Sequence, residues 1–360
     1  VKPLRTRAEA TKLYIQNVAE MVDELLKCQR QWLYLRNIFL NSQDIMKALP
    51  DEHRKFVTVN KKFTAFMGKL TKNPAPVRFL SFQQNKKSIP ELKGYNGLLE
   101  ECNNGLEEYM AEKRREFPRF YFLSNDELID ILANSQRIDI IQLHLKTLFD
   151  NLVRVEVEGD SIKAMRSGEK EEVKLKKEMK ISGPIEQWLK KLQEEMIGSL
   201  SAYMKAAQHE YPGIDRKTFV GKWPGQIVAT VCQIFWCNGC VEAIDDQAAG
   251  NALALKDYWD TCQKQVQELI AMVRGDLKPI DRKIIVALIT TDVHAGDVVE
   301  QLHQNNISSI FDFSWQKQLR YYFEEDDQRD IRKNVKVQQV SATLYYGYEY
   351  MGAAPRLVIT

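Results

Sequence analysis

The sequence lacks the strings that usually announce an enzyme. It has no GxxxxGK[ST], so no loop of backbone amides is ready to cradle nucleotide phosphates; Gly221-Lys222-Trp223 is followed by the wrong residues. No HExxH occurs, and the five histidines stand apart without metal-ligand spacing. The start, "VKPLRTRAEATKLY", has neither the apolar core of a signal peptide nor an initiator Met, and reads as an internal piece of a longer protein. No apolar run reaches the ~18 residues of a membrane span, which predicts no membrane partner. An excess of one charge is also missing. The formal net charge is +2 over 360 residues, which argues against a broad electrostatic grip on nucleic acid. Basic runs such as Lys174 to Lys180 are interleaved with glutamate and read as a solvated face. Six cysteines scattered through so long a chain predict free thiols in a reducing compartment rather than a disulfide framework.

What is present is an ordinary globular mixture. Apolar residues make up 44% and charged residues 28%, too apolar for a disordered chain. The length predicts two or three packed units. Helical periodicity dominates. Val18, Met21, Leu25, Cys28, Trp32, Leu35 and Phe39 form a heptad seam. A second seam runs through Leu92, Tyr95, Leu99, Cys102, Leu106 and Tyr109, and a third through Leu255, Trp259, Cys262, Val266, Leu269 and Val273. Such seams predict long helices lying nearly antiparallel in a bundle.

Breaks divide the helices. Phe117-Pro118 ends the first helical region, since proline cannot continue a helix. "RFYFL" reads as a short extended segment. Ser124-Asn125-Asp126-Glu127 is a capping box that opens a helix through about Ala133, with another from about Ile138 to Leu152. "VRVEVEGDSIKAMRSGEKEEVKL" alternates apolar and polar residues about Gly159-Asp160 and Ser167-Gly168, which predicts two or three strands joined by tight turns. Gly183-Pro184 starts a new helix with proline in its first position, and further helices cover about 224–246, 251–273 and 279–303. From Val335 the pattern turns extended again. The fold class is mainly α, with packed helical bundles, a small β-hairpin or sheet insertion and a C-terminal strand.

One constellation invites a site. Cys237-Asn238-Gly239-Cys240 matches CxxC, with Cys232 and Cys262 as further thiols. Its surroundings, "IVATVCQIFWCNGCVEAI", have helix periodicity, so the thiols read as small packing residues in buried or half-buried positions, with no metal bound.

Five strings, in order, resemble the linker region of dynein heavy chains. They are "FPRFYFLSNDELIDIL" (117–132), "WPGQIVATVCQIFW" (223–236), "IIVALITTDVHAGDVVEQL" (284–302), "FSWQKQLRYYF" (313–323) and "YYGYEYMGAAPRLVIT" (345–360). "WLYLRNIFLNSQDIMKALPDEHRKF" resembles the opening of the same region, so the resemblance runs from about Trp32 to Thr360. Three departures stand out. Such linkers usually carry His-Ala-Arg-Asp where this chain has His294-Ala295-Gly296-Asp297, which removes a guanidinium. Many relatives carry threonine at the position of Cys237. The acidic Gly-Glu motif of the strand region is present only loosely, as "SGEKEEV".

The resemblance implies a mechanical linker, or lever arm, in an ATP-driven microtubule motor. It bends and straightens across a ring of AAA+ modules, and its swing is the power stroke. The implied layout is an N-terminal helical bundle (1–120), short helices and a β-hairpin region as candidate hinge (121–182, the break itself at about 134–184), a C-terminal bundle (183–345), and a junction to the first AAA+ module (346–360). Leu357, Val358 and Ile359 would lie beside that module's adenine pocket. The segment itself would have no catalytic residues and no cofactor; ATP or ADP and Mg belong to the parent motor. Implied partners are the AAA+ ring of the same chain and, through other parts of that chain, intermediate and light chains and the microtubule. The wording of the motifs favours a ciliary or flagellar axonemal chain over a cytoplasmic one. A static helical scaffold would explain the seams equally well, and a small metal or thiol redox protein would explain the cysteines; neither explains the ordered strings.

Overall fold

The computed structural model describes residues 2–72, 82–325 and 330–353. The fold is mainly α with two small antiparallel sheets. The chain divides into two compact units, residues 1–141 and 142–360.

The first unit is built on three long helices, α1 (Lys2–Asn41), α3 (Pro50–Lys72) and α4 (Phe82–Glu116), with short helices α2 (Gln43–Ala48) and α5 (Asn125–Ala133) at one end. The seams are its core. Met21, Cys28, Leu35 and Phe39 of α1 are buried, as are Leu92, Leu99, Cys102 and Leu106 of α4. Both helices pack against α3, whose Phe56, Val59 and Phe63 are fully buried. The direction differs from the sequence expectation. Lys93 pairs with Glu20, Asn96 bonds Glu24, and Lys27 pairs with Glu100. Contacts that advance together on both helices mean that α1 and α4 run parallel. The antiparallel member is α3: Trp32 meets Asn60 and Phe63, while Phe39 stacks on Phe56. An up-down-up order places the first and third helices parallel, and the seam period alone does not encode direction.

"RFYFL" is not extended. Pro118–Phe122 is a 3-10 turn. Arg114 holds it, donating to the carbonyls of Phe120 and Leu123 and to the Asn125 side chain. The capping box is present, with Ser124 Oγ accepting from the Glu127 amide and Glu127 accepting from the Ser124 amide. The next helix, α6 (Ile138–Leu148), ends earlier than the periodicity predicts and contains the boundary between the units.

The second unit opens with a sheet of β1 (Arg154–Glu158), β2 (Ser161–Arg166) and β3 (Glu172–Lys180) in sequential order. Val155, Ile162, Met165, Val173 and Met179 supply its buried side chains, and α7 (Ile185–Glu210) packs on β3. α7 starts at Ile185, one residue later than expected, so Pro184 occupies the N-cap rather than the first helical position. Then come α8 (Arg216–Lys222), α9 (Gly225–Ala248), α10 (Ala254–Val273) and α11 (Pro279–Gln304). By length and hydropathy α9 is apolar enough to cross a membrane, contrary to the sequence expectation. It is a core helix, contacted by α7, α8, α10, α11 and a strand. That strand, β4 (Arg320–Phe323), follows the short α12 (Phe313–Gln316). With β5 (Val335–Gln339) and β6 (Ala342–Tyr345) it forms a second sheet in the order β4-β5-β6. Sequence reasoning expected extended backbone from Val335 but no strand at Arg320–Phe323; the expected C-terminal strand lies outside the described residues.

Candidate functional site

The stretch after β6, Tyr346–Ala353, is not a free tail. Its backbone takes positive φ at Gly347 (71°), Tyr348 (60°) and Gly352 (61°). Only Tyr348 lacks a glycine's freedom at such an angle. Burial holds it there: Tyr346, Tyr348 and Tyr350 are all buried, with the first two rings edge to face at 5.3 Å. Their hydroxyls reach polar partners. Tyr346 Oη lies 3.0 Å from Thr230 Oγ1, Tyr348 bonds the Asn334 side chain, and Tyr350 donates to the Glu171 carbonyl at 3.4 Å.

Three polar side chains grip the main chain. Gln226, in the first turn of α9, donates to the Glu349 carbonyl at 2.7 Å and accepts from the Met351 amide at 2.8 Å. This amide pairs with the backbone as a neighbouring strand would. Asn151, just before β1, donates to the Met351 carbonyl at 2.6 Å and to Glu169 at 2.8 Å, and accepts from the Gly168 amide at 3.2 Å. It thereby ties the β2–β3 turn to the terminal stretch. Glu171, in the same turn, accepts from the Gly225 amide at 2.7 Å and so caps the start of α9. Burial raises the Glu171 carboxyl above the usual range, against the opposing effect of that hydrogen bond.

Two glycines let these pieces meet. A Cβ on Gly352 would lie 2.5 Å from Ser167 Cβ and 2.7 Å from Asn151 Nδ2. One on Gly225 would lie 2.8 Å from Ile284 Cγ1 and 3.1 Å from Ala353 Cβ. Strings far apart in sequence, around Trp223, Ile284, Ser167 and Tyr346, thus converge on one clamp. Sequence reasoning had singled out all four strings but not their convergence. Asn151 it missed altogether, because a lone asparagine before a strand reads as an ordinary turn residue. Leu357, Val358 and Ile359, and with them Pro355, lie outside the described residues.

A second polar cluster lies in the helices of this unit. Arg216 of α8 pairs with Asp292 of α11 and also bonds Gln265 of α10. Both charged side chains are close to nine-tenths buried. Burial pushes Asp292 up to about 6, and the guanidinium opposes that rise. Tyr211, Cys232, Tyr258 and Cys262 line the adjoining cavity of about 200 Å³. In the histidine motif, His294 and Asp297 are exposed while Gly296 is buried. The guanidinium that bonds α11 here comes from Arg216 on another helix.

All four cysteines of the CxxC neighbourhood are buried in α9 and α10. Burial raises Cys232 to about 11, Cys237 and Cys262 to about 12, and Cys240 well above its ordinary value. Such thiols stay protonated and unreactive at neutral pH. Cys237 accepts a hydrogen bond from the Tyr321 amide of β4 at 3.2 Å. Among the described residues no group of three or more His, Cys, Asp or Glu is placed to hold a metal ion.

Comparison with known proteins identifies the family. The family "Dynein heavy chain, N-terminal region 2" matches residues 1–207. The chain belongs to the dynein heavy chain family. Among similar proteins, dynein axonemal heavy chain 6 of Homo sapiens is 37% identical over 380 residues, covering 99% of this chain and 9% of its own length. Dynein axonemal heavy chain 12 of Homo sapiens is 37% identical over 364 residues, covering all of this chain and 11% of its own length. Dynein axonemal heavy chain 1 of Mus musculus is 37% identical over 360 residues, again over the whole chain and 8% of its own length. This dynein heavy chain sequence therefore spans about a tenth of the length of the curated relatives it matches.

Proposed function

We propose that this chain is the mechanical linker of an axonemal dynein, the lever that carries the power stroke from an AAA+ ring to the rest of the motor. The observation that carries this reading is the clamp on Tyr346–Ala353. A lever needs a joint without slack. Here the last described residues are held by three buried tyrosines, by Gln226 and Asn151 on the main chain, and by a glycine pressed against Ser167. Force applied at this end passes directly into α9 and the first sheet. The seams of the first unit add the stiffness that close-packed interiors provide.

In this reading the AAA+ ring of the same polypeptide, with its ATP or ADP and Mg, is the engine. Microtubules and the intermediate and light chains engage other parts of the parent chain. The segment transmits force and catalyses nothing. The bend falls within 134–184, the region that contains the boundary between the two units. Cilia or flagella are the site of action, supported by the axonemal names of the relatives.

The deciding experiment lengthens the joint. Three flexible residues inserted after Ala353 in the full-length motor should leave ATPase activity in place while microtubule gliding drops steeply. Gliding at normal speed would overturn the reading.

A further inference from the structure

The second sheet finishes its two edges differently. On the β4 side the outward amide of Tyr321 donates to the Cys237 sulfur of α9, so a helix closes that edge. Among the described residues no strand pairs with the outer side of β6. The Tyr346 amide donates to the Val335 carbonyl at 3.1 Å, and Tyr345 stands opposite Lys336. Hydrogen-bonded and non-hydrogen-bonded pairs alternate along an antiparallel ladder. Leu344 with Val337 and Ala342 with Gln339 are therefore the bonded pairs. The main-chain groups of Thr343 and Tyr345 point away from β5, and no partner for them is found among the described residues.

Sheet edges of this kind are normally guarded by charge or proline. The edge strand β1 carries Arg154, Glu156 and Glu158. Ala342-Thr343-Leu344-Tyr345 carries neither, and all four residues are exposed. The two faces of β6 also differ. Directly opposed side chains share a face, so Leu344 lies on the face of buried Val337, yet it is 44% exposed. The apolar face of the sheet thus continues to its open edge. On the other face, Lys333 Nζ stands 5.7 Å from the Tyr345 ring centroid, and Arg332 beside it is exposed.

We propose that β6 accepts an extended segment of a partner protein as a fourth strand, apolar on the Leu344 face and acidic on the Tyr345 face. Thr343 and Tyr345 supply the main-chain hydrogen bonds, Leu344 the apolar contact, and Arg332 with Lys333 the preference for acid. The test is to titrate the 360-residue chain with a blocked octapeptide alternating valine and glutamate, and with its valine–lysine counterpart, while following amide hydrogen exchange. The glutamate peptide should slow exchange at Thr343 and Tyr345 by about tenfold or more, leave the already bonded Leu344 amide little changed, and outcompete the lysine peptide. Thr343→Pro removes an outward donor without removing a bond to β5, and should abolish the protection. Should that variant misfold, the pair Arg332→Glu and Lys333→Glu gives an independent check, because it should reverse the preference toward the lysine peptide. Protection by neither peptide, equal protection by both, or protection centred on Leu344 would overturn the proposal. So would concentration-dependent pairing of the chain with itself through the same amides.

Discussion

The two units solve the problem of rigidity by different chemistry. The first is held by apolar seams, and its charges lie on the rim: Lys93 with Glu20, Lys55 with Glu101 and Lys27 with Glu100 are all substantially exposed. The second places polar groups inside. Gln226, Glu171, Asp292 and Arg320 are buried, and Arg216 is nearly so. A seam tolerates sliding and exchange of similar side chains, because its attraction is not directional. A buried polar network fixes one geometry, because any other arrangement strands a donor or a charge. The clamp sits in the second kind of environment, where position matters more than strength.

The sharpest test of this contrast is to break a charge pair in each unit. Asp292→Asn leaves the Arg216 guanidinium buried without its counter-charge and should cost about 3–5 kcal/mol in chemical denaturation. Lys93→Ala removes an exposed partner and should leave the denaturation midpoint unchanged within error. Equal losses from the two substitutions would erase the distinction.

Gly352→Ala comes next. The new methyl would meet Ser167 Cβ and Asn151 at a positive φ that alanine resists. Backbone strain and overlap together should cost about 2–4 kcal/mol. Hydrogen exchange should show the loss first at the Met351 amide, which Gln226 holds. A thermal midpoint equal to the parent's would mean that the clamp yields easily, against the proposed joint.

Trp32→Ala tests the seam. The ring is half-buried, lies 5.4 Å from Phe63 and donates from Nε1 to Asn60 at 2.9 Å. Partial burial lowers the expected cost to about 2–3 kcal/mol, below that of a fully enclosed tryptophan. Trp32→Phe keeps the contact with Phe63 and should recover most of it. If phenylalanine recovers nothing, the Asn60 hydrogen bond rather than packing governs this position.

How much of this was legible in the sequence follows the same division. The seams, the capping box at Ser124, the turns at Gly159 and Gly168 and the helices of the second unit were readable, because period and local backbone chemistry specify them. The parallel course of α1 and α4 was not, since a heptad carries no arrow. "RFYFL" misled because its aromatic residues favour strands, whereas Pro118 and the guanidinium of Arg114, one turn earlier in the chain, impose a tight turn. β4 was hidden inside a string rich in polar residues. The clamp was half visible: its tyrosines and glycines stood out, but Asn151, Glu171 and Gln226 acquire meaning only when residues more than a hundred positions apart meet.

The smallest effect is the most specific to the second unit. Glu171 is a buried carboxyl whose proton affinity is raised by burial, while Gly225 donates to it. A folded-state pKa above the unfolded one means that ionisation opposes folding. The contribution is fully favourable below the ordinary value of 4.5, and it is lost as pH rises through the folded value. Glu171→Gln keeps an oxygen to accept from Gly225 and removes the titration. At acidic pH, below that ordinary value, parent and variant should therefore be close in stability. As pH rises toward neutrality the parent should fall behind the variant. Parallel denaturation series across this range measure the difference directly. A difference that stays constant with pH would show that Glu171 is better solvated than its burial implies, and that the clamp does not depend on a dry carboxyl at the head of α9.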